Sequence, residues 1–304
     1  MDFGWVGIGR TTRRSAYIVS VLVLCLLPCS GCGSGGSTKR VHITSNFQRQ
    51  QASQSGFASQ STVALTNAQL ANQEDLPHVK QLRLALFADG FESYGVCTAT
   101  FITPQVLLTA AHCLYNLETM EPLSPSDVEI EIEPGRFIPA SILVPHPEFT
   151  GRVTTSTVYA DTPVAAADVG VILASEQYAG PLPVFSPVPP QPGETMVLAG
   201  YGLTSDAAIF SGGTLRVGET TIDAVSPAER LLYWIQDSPN EASTCHGDSG
   251  GPAFTVNAAN ELVLVGITSS GDPGCRPYHV AVDSLVSSYL DWISAAAGGG
   301  LLIK

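Results

Sequence analysis

A short segment of the chain, Thr244–Pro252 with the sequence TCHGDSGGP, places a serine between an acid and two glycines. A serine hydroxyl becomes a nucleophile only when a base takes its proton and a further group orients that base. Catalysis also needs donors that face the oxyanion formed on the attacked carbonyl. Glycine permits the tight turn that exposes backbone amides, so Gly247 and Ser249 are candidate oxyanion donors. The segment predicts nucleophilic catalysis by Ser249.

The chain has six histidines, and His112 has the setting expected of the base. It follows the apolar run Val106–Ala111, a predicted buried strand, and directly precedes Cys113. Together with the serine segment, this setting predicts that His112 takes the proton of Ser249.

The carboxylate that orients the histidine should be one that water solvates poorly. Asp168 lies within the apolar stretch Ala165–Leu173, and a buried carboxylate needs a partner. The ring N–H of His112 would be that partner. Asp161 lies in a polar, threonine-rich loop and is the weaker candidate.

Residues 1–32 have the pattern of an export signal. Three arginines precede the apolar run Ala16–Leu27, which is too short for a membrane span. The next segment, Cys29–Cys32, resembles a bacterial lipoprotein signal cleaved before Cys32, which would then be lipidated. An ordinary secretory signal cut near the same place is the alternative. Both interpretations predict a bacterial protein that is secreted or anchored to the outer membrane or cell surface.

Four cysteines lie outside this signal, namely Cys97, Cys113, Cys245 and Cys275. An even number in an exported chain favours two disulfides, and four cysteines allow three pairings. These four show no C-x-x-C spacing, and the histidines show no H-x-x-x-H spacing. We therefore expect neither a metal ion nor a cofactor.

The formal net charge of −13 comes from 27 acidic and 14 basic side chains. An acidic surface argues against nucleic acid as a partner. Residues 33–64 are rich in Gly, Ser and Gln and predict a flexible linker or propeptide. Residues 298–304 begin with three glycines and are expected to form a disordered tail.

Short apolar runs separated by turn residues predict an all-β barrel or sandwich. The runs are Leu82–Phe87, Cys97–Ile102, Val106–Thr109, Val128–Ile132, Ser141–Val144, Val169–Leu173, Met196–Ala199, Leu231–Ile235, Pro252–Val256, Leu262–Thr268 and His279–Val282. The segment Asp283–Ala297 differs, because its apolar residues recur at helical spacing. Asp283 is the predicted N-cap of this helix.

Three motifs give the chain its resemblance to the trypsin/chymotrypsin-like serine endopeptidases over residues 65–297. They are TAAHC at 109–113, DVGVIL at 168–173 and GDSGGP at 247–252, in the chain order His, Asp, Ser. The resemblance implies two packed six-stranded antiparallel β-barrels with a C-terminal α-helix and a site in the cleft between the barrels. It also implies a monomer that cleaves protein or peptide substrates.

The same resemblance implies a role for each site residue. His112 would be general base and acid, Asp168 the orienting group, and Ser249 the nucleophile, with an oxyanion hole from the amides of Gly247 and Ser249. The implied disulfides are Cys97–Cys113 and Cys245–Cys275.

Asp248 would pair with a new amino terminus created when a propeptide is cut, as the resemblance implies. Counting back twelve residues from Pro77 reaches Leu65–Ala68, a degenerate form of the family's new terminus. A cut before Leu65 would free its amine for Asp248. The alternative is that Leu65 belongs to the linker and Asp248 has another partner.

The predicted substrate pocket departs from that of trypsin itself. The pocket floor would be Ser243, where trypsin has the Asp that binds Arg or Lys. A neutral floor favours aromatic or large apolar side chains, although Thr244, His246 and Arg276 leave an acidic preference open. The pocket wall would comprise Ser269, Ser270 and Gly271.

Two other functions compete with an active protease. One is a non-catalytic binding protein with a protease-like fold, anchored at the cell surface. The other is an esterase on another fold, since Gly247–Gly251 fits the loose pattern Gly-x-Ser-x-Gly. In that fold the acid and the histidine follow the serine in sequence, whereas here both precede it.

Overall fold

A computed structural model describes residues 68–71, 73–88, 91–208, 210–238 and 240–304. The predicted signal with Cys32, the linker 33–64 and the activation residue Leu65 lie outside the described residues and stay predictions. The described chain is mostly β-structure, with one short α-helix near its carboxyl end.

The elements are short strands joined by turns. In chain order the strands are β1 (Gln69–Leu70), β2 (Val79–Ala88), β3 (Phe91–Phe101), β4 (Val106–Thr109), β5 (Tyr115–Asn116), β6 (Glu121–Pro122), β7 (Val128–Glu133), β8 (Arg136–Pro145), β9 (Val153–Thr155), β10 (Pro163–Ala165), β11 (Gly170–Ala174), β12 (Thr195–Gly200), β13 (Arg216–Thr221), β14 (Ala224–Ser226), β15 (Leu231–Ile235), β16 (Pro252–Val256), β17 (Leu262–Ser270) and β18 (Val280–Leu285). The helices are α1 (Leu290–Ala296) and three 3₁₀ turns at Ala111–Leu114, Pro125–Asp127 and Val286–Tyr289. Within the described ranges, no helix combines the length and the apolar character needed to cross a membrane.

Six strands close into an antiparallel barrel in the order β11-β4-β3-β2-β7-β8. Its buried apolar side chains include Leu82, Leu84, Phe101, Leu107 and Ile172. Closure pairs each strand on both sides and leaves no exposed edge. This is one of the two six-stranded barrels that the resemblance implies.

The second half is an eight-stranded antiparallel sheet in the order β1-β13-β12-β16-β17-β18-β15-β14. A separate apolar cluster fills it around Trp234, with Met196, Leu198, Leu232 and Leu285. This sheet has eight strands rather than six because the short strands β1 and β14 are added at its two ends. The predicted all-β architecture with a C-terminal helix is confirmed.

The carboxyl end differs from the prediction in where the helix begins. Residues 280–285 pair with both β15 and β17, so the ladder on two sides holds them as strand β18. The helix α1 begins only at Leu290. The prediction that Asp283 caps a helix is therefore wrong, because Asp283 is a buried strand residue.

The last residues are ordered, contrary to the disordered tail expected at 298–304. The backbone N–H of Phe185 donates to the carbonyl of Leu302 at 2.8 Å, and the N–H of Lys304 donates to the carbonyl of Phe185 at 2.9 Å. The Lys304 ammonium also forms an ion pair with Glu261. A backbone partner that is distant in sequence thus holds the tail.

Candidate active site

Strands β4 and β11 bring His112 and Asp168 together. Their register pairs Thr109 with Gly170, so the residues just after β4 meet those just before β11. Gly170 permits this approach, since a Cβ there would lie 2.7 Å from Leu114 Cδ1. Asp168 Oδ2 lies 2.7 Å from His112 Nδ1. Asp168 Oδ1 accepts a 2.8 Å hydrogen bond from the backbone N–H of His112.

The Asp168 carboxyl is buried, with 1 % of the residue exposed, and two serines also bind this residue. Ser269 Oγ donates to Oδ2 at 2.6 Å, and Ser284 Oγ donates to the Asp168 backbone carbonyl at 2.9 Å. Burial acts to raise the pKa of Asp168. The His112 charge and the hydrogen bonds from His112 and Ser269 together outweigh burial and hold the pKa below its ordinary value. Asp168 is therefore ionised at neutral pH and can stabilise a protonated imidazole.

The carboxylate within hydrogen-bond distance of the His112 ring is thus that of Asp168. Asp161, the weaker candidate, lines a neighbouring groove of about 600 Å³ that His112 also borders. Its backbone has a φ of +65°, as a residue in a tight turn does.

Ser249 lies in a turn just before β16. Gly247 and Gly250 have φ values of +96° and +79°, in the region that favours glycine. A Cβ at Gly250 would also lie 2.5 Å from the carbonyl oxygen of Thr98. Thr98 fixes the turn, because its N–H donates to the Ser249 carbonyl at 2.8 Å and its hydroxyl donates to the Gly247 carbonyl at 3.0 Å. Thr98 lies in no local motif that would mark it as a site residue in the sequence.

The amides of Gly247 and Ser249 suit the binding of an oxyanion. Within the described chain, neither N–H group donates a backbone hydrogen bond. Both residues line one cleft of about 240 Å³ together with His112. A serine, a histidine and two such amides are the groups that acyl transfer requires, and here they line one cleft.

Most of the residues predicted for the substrate pocket line the cleft, whereas Ser243 does not. The cleft beside Ser249 is lined by Thr244, His246, Ser269, Ser270 and Gly271. The hydroxyl of Ser269 is hydrogen-bonded to Asp168, so this side chain supports that carboxylate as well as lining the cleft. Ser243, the predicted floor, is buried, and it is absent from the described residues that line the cleft.

Arg276 carries no free positive charge into the cleft. Its Nε and Nη2 donate to the Asp272 carboxylate at 2.9 and 2.6 Å. Asp272 lines the cleft, and the hydrogen bonds from Arg276 lower the pKa of Asp272 to about 2 against the opposing effect of burial. The charges of Arg276 and Asp272 therefore neutralise each other at the mouth of the cleft. Arg276 thus gives no reason to expect a preference for acidic substrate side chains.

Asp248 is buried and holds two backbone amides. Its Oδ1 accepts from the Gly202 N–H at 2.8 Å, and its Oδ2 accepts from the Cys245 N–H at 2.9 Å. Burial raises the pKa of Asp248 to about 7, while these two hydrogen bonds and the charge of Arg216 oppose that shift.

Arg216 lies on the same face of the sheet as the Asp248 carboxyl. It is paired directly with Gly200 across β12 and β13, and a Cβ on Gly200 would overlap Asp248 Oδ1. Directly opposed residues in antiparallel strands point to the same face. Arg216 is also buried, and its Nε has no hydrogen-bond partner among the described residues. Arg216 is thus a cation near Asp248 other than a new amino terminus. The alternative in which Leu65 belongs to the linker requires such a partner for Asp248.

Two disulfides brace the site, Cys97–Cys113 beside the histidine and Cys245–Cys275 beside the cleft. Among the described residues, His112, Cys97 and Cys113 form a group with the spacing of metal ligands. The two sulfurs are bonded to each other and are not thiolates, so this group does not fit a metal ion.

The sequence model of the trypsin family, described as Trypsin, matches residues 69–293. The chain belongs to the trypsin family. Human kallikrein-15 is 26 % identical over 249 residues, which are 74 % of this chain and 89 % of the relative. Chymotrypsin of Phaedon cochleariae is 27 % identical over 238 residues, 73 % of this chain and 79 % of the relative. Trypsin eta of Drosophila erecta is 26 % identical over 212 residues, 66 % of this chain and 77 % of the relative.

As a trypsin-family member, the chain is a serine endopeptidase, a hydrolase of peptide bonds. The esterase alternative is wrong, because that fold carries its serine on a turn between a strand and a helix. Here Ser249 precedes strand β16 within an antiparallel sheet.

Proposed function

We propose that this trypsin-family member is an exported endopeptidase that cleaves proteins or peptides through an acyl-enzyme. Its triad would be His112, Asp168 and Ser249. The observation that carries the proposal is the doubly hydrogen-bonded pair of His112 and Asp168, in one cleft with Ser249.

The reaction follows from these positions. His112 Nε2 accepts the proton of Ser249 Oγ as that oxygen bonds to the scissile carbonyl carbon. The carbonyl oxygen becomes an oxyanion, which accepts hydrogen bonds from the amides of Gly247 and Ser249. The C–N bond breaks and the leaving amine takes the proton from His112. Water then attacks the acyl-enzyme with His112 as its base, which releases the acid and restores Ser249.

Asp168 stabilises the imidazolium in both halves of the reaction. Its carboxylate stays ionised because His112 and Ser269 bind it. The chemistry requires no cofactor, since all proton transfers pass through His112.

Export is supported by the two disulfides, which persist in oxidising compartments. Activation by a cut before Leu65 is supported by the path of the chain that follows it. Ala68 is buried against Gly218, and β1 pairs with the strand that carries Arg216. Leu65 precedes Ala68 by three residues, which span at most about 10 Å.

Labelling by a fluorophosphonate, together with hydrolysis of a peptide library, tests the catalytic proposal. Wild type and the exposed-serine control Ser126→Ala should both be labelled and cleave peptides. Ser249→Ala should lose both activities and keep the wild-type unfolding midpoint. Cleavage by Ser249→Ala at the wild-type rate would show that the mechanism is wrong. A folded wild-type protein without label would support the non-catalytic, surface-anchored binding protein.

N-terminal sequencing and intact mass of the same sample test the maturation proposal. A start at Leu65 in the labelled protein would establish activation by cleavage and release from any anchor. A start at a lipidated Cys32, with labelling intact, would show an active anchored enzyme and contradict the activation site.

A further inference from the structure

Strands β9 and β10 form a hairpin that lies outside both large sheets. Within the described chain, these two strands pair only with each other. An isolated two-stranded hairpin is marginally stable in water, so contacts from elsewhere must hold its position. That position matters for substrate binding, because Val153, Pro163 and Ala165 of the hairpin line the cleft that contains Ser249.

Glu229 lies in the turn between β14 and β15 and binds the tip of this hairpin. Its Oε1 accepts hydrogen bonds from the backbone N–H of Thr157 at 2.6 Å and from the Thr157 hydroxyl at 3.0 Å. Its Oε2 accepts from the Tyr233 hydroxyl at 2.5 Å and from Ser156 Oγ at 3.3 Å. One carboxylate thus ties the hairpin tip to the eight-stranded sheet, across 72 residues of sequence.

The contacts beneath the hairpin are of a different kind. The rings of Tyr159 and Tyr233 lie 5.4 Å apart, and Val164 packs in the same apolar cluster. The hydroxyl oxygen of Ser156 lies 2.8 Å from that of Tyr233 and accepts from the N–H groups of Val158 and Tyr159. The apolar cluster supports the body of the hairpin, whereas the bonds that reach the Thr157 backbone come from Glu229.

The charge of Glu229 strengthens these bonds. Partial burial acts to raise the pKa of Glu229, but the hydrogen bonds from Thr157, Tyr233 and Ser156 outweigh burial and lower it. Hydrogen bonds to an ionised acceptor are stronger than those between neutral groups. The adjacent Arg230 pairs with a different acid, Glu148, at 2.8 Å.

We propose that Glu229 is a positioning residue for substrate binding, which holds the β9–β10 hairpin in place as a wall of the cleft. The proposal rests on the endopeptidase function and concerns how the peptide is bound. A wall that is already in place spares the bound peptide the entropic cost of ordering a loop. Without Glu229, only a fraction of the molecules would have the wall in place, and the apparent affinity would fall by that fraction.

Steady-state kinetics on two substrates with the same residue before the scissile bond tests the proposal. One is a single-residue ester, confined to the part of the cleft around Ser249, and the other is a longer peptide that extends along the wall. Glu229→Ala should raise KM for the peptide at least about tenfold. Its kcat for the peptide, and both constants for the ester, should stay within about threefold of wild type.

Glu148→Ala is the matched control, because it removes a neighbouring exposed acid that does not bind the hairpin tip. It should behave as wild type. An unchanged KM for the peptide in Glu229→Ala, or an equal loss on both substrates, would overturn the proposal. Glu229→Gln keeps the side-chain shape and an acceptor for the Thr157 amide, so its KM for the peptide should rise only about threefold. Circular dichroism with cooperative unfolding checks that each variant folds.

Two measurements that need no turnover separate this proposal from the catalytic one. Calorimetry with the longer peptide on Ser249→Ala protein should show binding that the further change Glu229→Ala weakens at least about tenfold. Hydrogen exchange at the Thr157 amide should be at least about tenfold faster in Glu229→Ala. Both effects in a protein that no fluorophosphonate labels would leave the role of Glu229 standing while the catalytic proposal failed. Unchanged exchange at Thr157, or unchanged peptide affinity, would overturn that role.

Discussion

The Asp168 carboxylate contacts His112 at two points, the ring Nδ1 at 2.7 Å and the backbone N–H at 2.8 Å. Because both contacts go to one residue, the ring and its own backbone are fixed relative to the same anion. An ionised Asp168 keeps the imidazole proton on Nδ1, so that the lone pair of Nε2 is the basic one.

Replacing Asp168 by Asn should lower kcat by about 10³–10⁴-fold. The amide presents one acceptor and one donor where the carboxylate presents two acceptors, so it cannot bind both His112 groups in the same way. Steady-state kinetics on a peptide substrate measures the loss. Asp161→Asn, in the neighbouring groove, should stay within about threefold of wild type. A loss of less than tenfold in Asp168→Asn would contradict the role assigned to this acid.

Ser269→Ala removes the 2.6 Å hydrogen bond to Asp168 Oδ2. The folded pKa of Asp168 is depressed, so this group stabilises the fold above its unfolded pKa of about 4 and loses that contribution as pH falls. The variant should therefore lose about 1–2 kcal/mol of unfolding free energy at pH 7. The loss should shrink in acid, as urea unfolding at several pH values would show.

Ser270→Ala is the matched control for that variant, because its hydroxyl makes only a 3.5 Å contact with the Pro163 carbonyl. A loss in Ser269→Ala that was equal at acid and neutral pH would show that the bond does not act through Asp168 ionisation.

Arg216→Gln should destabilise the protein more at pH 8 than at pH 5. In the folded protein the pKa of Asp248 is raised to about 7. The contribution of Asp248 to stability is therefore complete below its unfolded pKa and is lost as pH rises through its folded pKa. Removing the Arg216 guanidinium raises the folded pKa of Asp248 further. Each pKa unit corresponds to about 1.4 kcal/mol of unfolding free energy. Urea unfolding measures the difference. Arg216→Lys keeps the charge and should lie close to wild type, whereas a pH-independent effect in Arg216→Gln would rule out the coupling.

Gly202→Ala should inactivate the enzyme. A Cβ there would lie 2.5 Å from Asp248 Cγ and 2.7 Å from its backbone nitrogen, so the turn that carries Ser249 must move. We expect the fluorophosphonate labelling rate to fall at least about 100-fold. Gly212→Ala is the control, because its nearest contact would be Leu203 Cδ2 at 3.3 Å, the end of a side chain that can move. Equal labelling of both variants would contradict the prediction.

The strands that sequence predicted share one property, which is a run of apolar residues at a length suited to a buried strand. Each predicted run overlaps a strand of the structure. Strand β13, with the sequence RVGETT, was missed because it contains few apolar residues and one glycine. The start of the final helix was misplaced because Leu285 and Val286 continue its spacing, although neighbouring strands hold Leu285 in β18.

The sequence by itself determined the proposed chemistry of this protein, since the proposed nucleophile, base and orienting acid each lie in a local motif whose residue types suit one role. Only the tertiary structure decided what surrounds them. Ser269 lies 101 residues from the Asp168 it binds, and Thr98 lies 149 residues from Gly247. The positions of Arg216 and Asp283 follow from strand register, which depends on pairings between distant segments. The environment of a buried charge is therefore not encoded beside it in the chain.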